Sequence, residues 1–227
     1  MFLFLLSCLL TNDVTTSDNH AVKKAEINYS SATKKIRDSS VRIVMLDSEE
    51  VVGHGSGNYF KHRGRTFIVT AAHVVEGETK KLIQDGNVRV GIRIVFIDFE
   101  SDIAILVPNK KLSNANPIPW KLSKNADKIG SPTYYTGFPS HYGKILLRGM
   151  ISSVTEEGIT IQSFALPGSS GSVVFDEDGR VIGVVSAVGL HMSPFSPYPS
   201  LQEDMVFISK LEYLTSGVIM GVLECGA

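Results

Sequence analysis

Leu166–Ser172 reads LPGSSGS. Two serines lie side by side between two glycines, directly after a proline. Such a stretch is the usual material of a surface turn, because Gly tolerates unusual backbone angles and Pro fixes its own. It is equally what a rigid loop needs to present one hydroxyl on a bare backbone. Composition alone leaves both readings open. The second requires a base, an acid to orient that base, and a scaffold for all three.

The scaffold reads as β structure. SVRIVML (40–46) is rich in β-branched residues, and VVGHGSGNYF (51–60) reads as a strand bent at its glycines. A hairpin turn at Lys61–Gly64 leads into RTFIVTA (65–71); VRVGIRIVFI (88–97) and DIAILV (102–107) follow. Short strands at this spacing argue for a small barrel and against alternating βαβ units. Residues 108–129 hold three prolines and many polar side chains, so they read as a connection, with PIPW packing onto the surface. The strand pattern then resumes in SPTYYTGF, KILLRGMISSV, GITIQSF, SVVFD and RVIGVVSAVG, with a hairpin turn at Asp176–Gly179. In FISKLEYLTSG (207–217), apolar residues at 207, 208, 211 and 214 predict a short C-terminal helix. Residues 20–37 predict a short polar helix. The expected organisation is a lead-in (1–37), a first β-barrel (38–107), a connection (108–129), a second β-barrel with the terminal helix (130–216) and a tail (217–227).

Composition narrows the function classes. A chain of 227 residues with 43% hydrophobic residues can bury a substantial core. Its 22 basic and 23 acidic residues give a net charge of -1, and no basic stripe suggests a nucleic-acid partner. The two cysteines, Cys8 and Cys225, sit at opposite ends, so no disulfide framework is expected. The six histidines are scattered singly, and no metal or cofactor is expected. The apolar start MFLFLLSCLL is too short to span a bilayer as a helix. It fits the core of a secretory signal, although the first basic residue is Lys23. LLSC at 5–8 resembles a lipoprotein processing site with Cys8 as the lipidated residue, and a buried N-terminus is the alternative. The expected location is therefore exported, periplasmic or lipid-anchored, otherwise cytoplasmic or virus-encoded. Membrane contact is expected only through this segment.

His73 sits in TAAHVV (70–75), directly after a strand, and Asp102 opens DIAILV. Taken singly, they have ordinary readings as a packed histidine and a strand-end cap, and Ser170 as part of a turn. Together they make one mechanism. A serine hydroxyl is a poor nucleophile at neutral pH and needs a neighbouring base. Histidine can take and return the proton, and a carboxylate behind the ring fixes its tautomer. Asp98 and Glu100 are close competitors for that last role. With side chains absent at 168 and 171, the N–H groups of Gly168 and Ser170 can converge as an oxyanion hole, where one donor is worth about 3 kcal/mol.

TAAHV around His73, SDIAIL around Asp102 and PGSSGS around Ser170, in that chain order, resemble the trypsin-like (chymotrypsin-fold) serine proteases. The intervals of 29 and 68 residues are closest to compact bacterial HtrA-like and viral or phage members. The resemblance covers about residues 40–214. It implies two packed six-stranded antiparallel β-barrels, with His73 and Asp102 on the first and Ser170 on the second. It implies hydrolysis of peptide bonds in a peptide or protein substrate through an acyl-enzyme. It also places Phe164 at the base of the primary pocket and Val188 and Gly189 along the groove. Ser186 would support Asp102 by a hydrogen bond. No charge in this set would neutralise a basic residue, so the pocket is expected to take uncharged side chains, with His191 as a nearby polar reader. Three features depart from the family. Ser172 replaces a second glycine, Ser169 replaces the usual Asp or Asn, and the paired cysteines are absent. With residues 215–227 following the resemblance, no PDZ-type domain is expected after the second barrel. The alternatives are a catalytically silent binding module on the same fold, and a viral or phage processing or structural protein with limited self-cleavage.

Overall fold

The computed structural model describes residues 31–192 and 199–225. Cys8 and the apolar start lie outside them. Of the expected lead-in helix, the described part is helical in α1, Ser31–Ser39, whose Ile36 is buried, and residues 20–30 lie outside the described residues.

The first barrel is built from β1 (Ser40–Asp47), β2 (Glu50–His62), β3 (Arg65–Thr70), β4 (Lys80–Asp85), β5 (Val88–Asp98) and β6 (Ile103–Pro108). A one-turn helix, α2 (Ala72–Val75), leaves the end of β3. β1 pairs with both β2 and β4, which closes the order β1-β4-β5-β6-β3-β2. The Arg63–Gly64 turn has positive φ at both residues, the geometry of a two-residue hairpin. β6 is buried along most of its length, so it reads as an unbroken apolar run in the sequence.

The connection carries β7 (Ile118–Pro119), which pairs parallel to β2. Trp120 is buried, not laid on the surface as expected. Its ring meets Phe60 edge-on at 4.9 Å, and its Nε1–H donates to the Leu214 carbonyl at 3.1 Å. That one donor satisfies the polar end of the indole, so the rest can join the core.

The second barrel closes in the order β10-β13-β12-β11-β8-β9. Its strands are β8 (Pro132–Gly137), β9 (Ile145–Val154), β10 (Ile159–Gln162), β11 (Val173–Phe175), β12 (Val181–Met192) and β13 (Pro199–Lys210). The Asp176–Gly179 turn forms as expected: Asp176 Oδ1 accepts the N–H groups of Asp178 and Arg180.

Two expectations need correction. Residues 207–210 continue β13 and are not helical. Val206 and Ile208 point inward while Phe207 between them is 45% exposed, the two-residue period of a strand. The long edge of β12 fixes this state, because pairing along it overrides the weak local helical spacing. The terminal helix is instead α3 (Ser216–Cys225), in the stretch expected as tail. Among the described residues no helix is long and apolar enough to cross a membrane.

Candidate active site

The site forms where the barrels meet, on three short pieces of chain. The first is α2. Thr70, the last residue of β3, donates its hydroxyl to the Ser56 carbonyl at 2.7 Å, which ties the exit of β3 to β2. His73 follows on α2.

The second piece is the turn before β6. Asp102 takes a positive φ of 52°, which turns its side chain back under α2. Its Oδ1 accepts the His73 backbone N–H at 2.9 Å, and its Oδ2 accepts Nδ1–H of the same residue at 2.8 Å. Ser186 on β12 donates its hydroxyl to Oδ2 at 2.5 Å. Burial pushes the Asp102 carboxyl up, but the bonds from His73 and Ser186 outweigh it and hold the group below the ordinary carboxylate range. A charged acceptor at Nδ1 keeps the proton there and leaves the lone pair on Nε2. Neither competitor for this role bonds the His73 ring among the described residues: Glu100 is exposed, and Asp98 is engaged elsewhere. Asp98 accepts the N–H groups of Glu100 and Ser101 and the Tyr213 hydroxyl.

The third piece is the loop 166–172. Its amides divide into two sets. Ser169 N–H donates to the Leu166 carbonyl at 2.9 Å, Gly171 N–H to Val185 at 2.8 Å, and Ser172 N–H to Ser169 at 3.0 Å. The N–H groups of Gly168 and Ser170 find no acceptor among the described residues. The loop's outer side is gripped by one residue of the first barrel: Ser56 donates its hydroxyl to the Gly168 carbonyl at 2.7 Å and its N–H to the Ser170 carbonyl at 2.8 Å. Gly168 and Gly171 have φ of 97° and 85°. A Cβ at Gly171 would come within 2.1 Å of the Ser56 carbonyl, and one at Gly168 within 2.5 Å of the His54 ring. No other residue fits either position.

Ser169 is 1% exposed, and its Oγ accepts the Leu166 N–H at 3.2 Å. Ser170 is half-buried at the surface of the cleft. Ser172 is wholly buried against Gly137, so the departure from a second glycine falls inside the barrel and not in the cleft. His73 and Asp102 are thus brought into direct contact. The Ser170 stretch of the loop approaches α2 at Gly55, where an added Cβ would meet both Val74 of α2 and the Ser170 carbonyl.

Beside Ser170 lies a cavity of about 370 Å³, lined by Leu166, Pro167, Ser169, Val185, Ala187 and Val188 along with Ser170 itself. Of the four expected pocket residues only Val188 lines it. Ser186 turns to Asp102. Gly189 pairs with Gln202 across the β12–β13 hairpin. Phe164 is 41% exposed, and only its carbonyl faces inward, where it accepts the Tyr135 hydroxyl. The alternation of the chain before the loop accounts for this, since Ala165 takes the buried position. His191 lies on β12 opposite Ser200; its side chain falls outside what is described.

Three neighbours were not legible from the sequence. Ser56 had a weak signal, a small residue between two glycines in GHGSG. Tyr135 is fully buried on β8 and reaches the base of the loop. His54 bonds the Phe138 carbonyl at 2.8 Å, and its ring packs against Gly168. Burial holds the His54 ring below the ordinary imidazole value; the Phe138 carbonyl opposes this, and the Arg42 charge adds to it. Among the described residues no group of His, Cys, Asp and Glu could hold a metal ion.

Comparison with known proteins agrees with this geometry. Serine protease HtrA-like of Staphylococcus epidermidis is 26% identical over 197 residues, covering 77% of this chain and 34% of its own length. Its namesake in Staphylococcus aureus is 29% identical over 189 residues, covering 74% and 24%. The chain therefore spans about a third or less of the curated relatives it matches. Among solved structures, the serine endoprotease from Yersinia pestis superposes with a TM-score of 0.64 at 19% identity, over 86% of this chain and 66% of that one. Rv3671c from M. tuberculosis, in an inactive mutant form, gives 0.60 at 20% identity, over 86% and 89%. These two likenesses bear on the double barrel alone. Residues 55–184, more than half of the chain and all three motifs, match the trypsin-like peptidase domain, and the chain belongs to that family.

Proposed function

We propose that the chain is a serine endopeptidase, with Ser170 as nucleophile, His73 as general base and acid, and Asp102 as the carboxylate that orients the ring. The observation that carries this reading is the divided use of the loop's amides. Four N–H groups, at Leu166, Ser169, Gly171 and Ser172, shape the loop, and two, at Gly168 and Ser170, are left over among the described residues on either side of a buried serine. Unused donors beside a base–carboxylate pair are what a developing oxyanion requires.

In the proposed reaction, His73 Nε2 takes the Ser170 proton as Oγ attacks the scissile carbonyl. The carbonyl oxygen becomes negative and is met by the two free N–H groups. The imidazolium is stabilised by Asp102, already ionised because its donors outweigh its burial. His73 then protonates the leaving amine. Water, deprotonated by the same nitrogen, hydrolyses the acyl-enzyme and restores Ser170.

The primary pocket is proposed to accept an uncharged side chain. Leu166, Pro167, Val185, Ala187 and Val188 offer no partner to a charge, and burying an unpaired charge is costly. Selection among neutral side chains should be modest, because one methylene is worth only about 1–3 kcal/mol. A peptide library would test this. Dominant cleavage after Lys or Arg would end the pocket proposal, and dominant cleavage after Glu would turn attention to His191. The activity itself is tested by a fluorophosphonate label. It should attach to Ser170 in the intact protein, persist in Ser169→Ala and vanish in Ser170→Ala. Labelling of Ser169 instead would overturn the assignment.

A further inference from the structure

The free N–H groups of Gly168 and Ser170 mark where the scissile carbonyl would lie, and the apolar cavity lies on one side of them. The chain beyond the scissile bond must then leave across the other side of Gly168. That side is formed by His54 and the turn 138–140, whose Ser140 N–H donates to the Pro167 carbonyl at 2.6 Å. Immediately past Phe138 opens a second groove of about 270 Å³. Its floor includes Val41, Ile83 and Phe138, and its rim includes Arg42 and Lys144.

Arg42 stands directly opposite Ser56 in the β1–β2 register, so the two side chains share a face. Ser56 is the residue that holds the Gly168 carbonyl and, at 3.0 Å, the Phe138 N–H. The arginine is therefore one strand away from the oxyanion loop. Its guanidinium makes no hydrogen bond or ion pair among the described residues, and its Nε is buried without a partner. An orphaned buried donor of this kind is rare and normally marks a place where something else binds. Lys144 donates to the Arg37 carbonyl at 3.2 Å, lies over the Phe138 ring at 5.7 Å from its centroid, and has no ion pair among the described residues. Burial and the nearby Arg37 charge hold its ammonium below the ordinary lysine value, against the opposing fields of Asp38 and Asp85. Both of those carboxylates are already engaged: Asp85 by the N–H groups of Ser113 and Asn114, Asp38 by Lys34. Asp85 on the groove wall offsets part of the Lys144 charge, and no ion pair among the described residues reaches Arg42.

We propose that this groove is a substrate subsite for an acidic side chain carried within the first three residues after the scissile bond, with Arg42 as its main reader and Lys144 as its second. The inference rests on the endopeptidase reading, since that reading sets the direction of the bound chain. It makes the substrate class two-sided: an uncharged residue before the bond and an Asp or Glu shortly after it.

The test has two arms. In the first, quenched peptides share one sequence before the bond and differ after it only by Asp or Glu against Asn or Gln. The full chain should cleave the acidic set with about tenfold higher kcat/KM, the value of one charge-assisted hydrogen bond. Arg42→Gln should bring the ratio close to one while Ser170 still takes the fluorophosphonate label. Lys144→Gln, at the second reader, should reduce the ratio in part, and it keeps the test decisive if Arg42→Gln fails to fold. Labelled, active protein with no acidic preference would overturn the subsite and leave the endopeptidase reading standing. In the second arm, binding of the same peptides to Ser170→Ala is followed by fluorescence anisotropy. If the wild-type chain is never labelled and cleaves nothing, the endopeptidase reading fails. The groove then stands or falls on whether acidic peptides still bind tighter and lose that advantage in the Arg42→Gln, Ser170→Ala double variant.

Discussion

The two barrels hold their shares of the site in opposite ways. The first fixes its share largely from within, with one bond from the second barrel, donated by Ser186 of β12 to Asp102. His73 is bound to Asp102 by its backbone as well as its ring, and both residues leave strands packed around the Phe60, Phe67 and Trp120 cluster. The second barrel offers Ser170 on a loop whose decisive bonds run outward, to Ser56 of the first barrel. The proposed base and its carboxylate are therefore held mainly by the first barrel, whereas the proposed nucleophile and its free amides depend on the contact between barrels. Damage to the two halves should look different. Loss in the first half should follow chemistry, and loss in the second should follow loop shape.

The largest effect should come from the nucleophile. Ser170→Ala is expected to lower kcat by about a millionfold, the scale seen when the nucleophile of such a triad is removed, with melting temperature unchanged. Ser169→Ala, by contrast, should keep the label and lose stability, because Ser169 Oγ holds the Leu166 N–H. Equal loss of activity in both variants would mean that the loop cannot distinguish its two serines.

Next comes the orienting acid. Asp102→Asn should cost roughly ten-thousand-fold in kcat, through the wrong imidazole tautomer. Asp98→Asn should leave kcat within a few-fold. The pH dependence follows from the depressed Asp102 value. A carboxyl lower in the folded than in the unfolded chain stabilises the fold above its unfolded value, and this stabilisation is lost as pH falls through the folded value. Thermal melts of wild type should therefore decline more steeply in acid than those of Asp102→Asn. Parallel acid limbs would show that the carboxylate contributes nothing to folding.

How much of this could be read in advance follows the same division. His73 and Asp102 sit in strand-adjacent motifs whose local chemistry announces them, and the chain order of the three motifs carried the double barrel with it. Phe164 was misplaced because pocket shape depends on which side of the backbone faces in, and a position count says nothing about that. The helix expected over 207–217 failed for a related reason. Its spacing suited a helix locally, but the open edge of β12 was a long-range feature invisible in the segment itself. Ser56 and Tyr135 were missed because their roles are contacts across more than 20 residues of sequence, made to backbone atoms that any residue supplies.

Ser56→Ala tests the outward hold on the loop. It removes the donor to the Gly168 carbonyl and the acceptor for the Phe138 N–H, while its backbone bond to Ser170 remains. With one of two oxyanion donors free to tilt, kcat should fall by about 10²-fold, somewhat less than the loss of a donor outright, with KM little changed. A rise in KM at constant kcat would indicate that Ser56 shapes binding and not the oxyanion hole.

The smallest effect should come from the opposite side of the loop. Tyr135 is wholly buried in the second barrel, and its hydroxyl donates to the Phe164 carbonyl, close to the hydroxyls of Ser163 and Ser169. Burial pushes the phenol far above its ordinary value, so it remains a neutral donor throughout the working range. Tyr135→Phe keeps the ring and its packing but strands that carbonyl, at a cost of about 1–3 kcal/mol in stability. The loop itself, still gripped by Ser56, should move little, and kcat should fall by less than about tenfold. The ratio of the two variants then measures how the hold on the nucleophile is shared between barrels. If Tyr135→Phe lowered kcat as far as Ser56→Ala with no loss of melting temperature, the loop would be shaped from inside its own barrel, and the contrast between the two halves would fail.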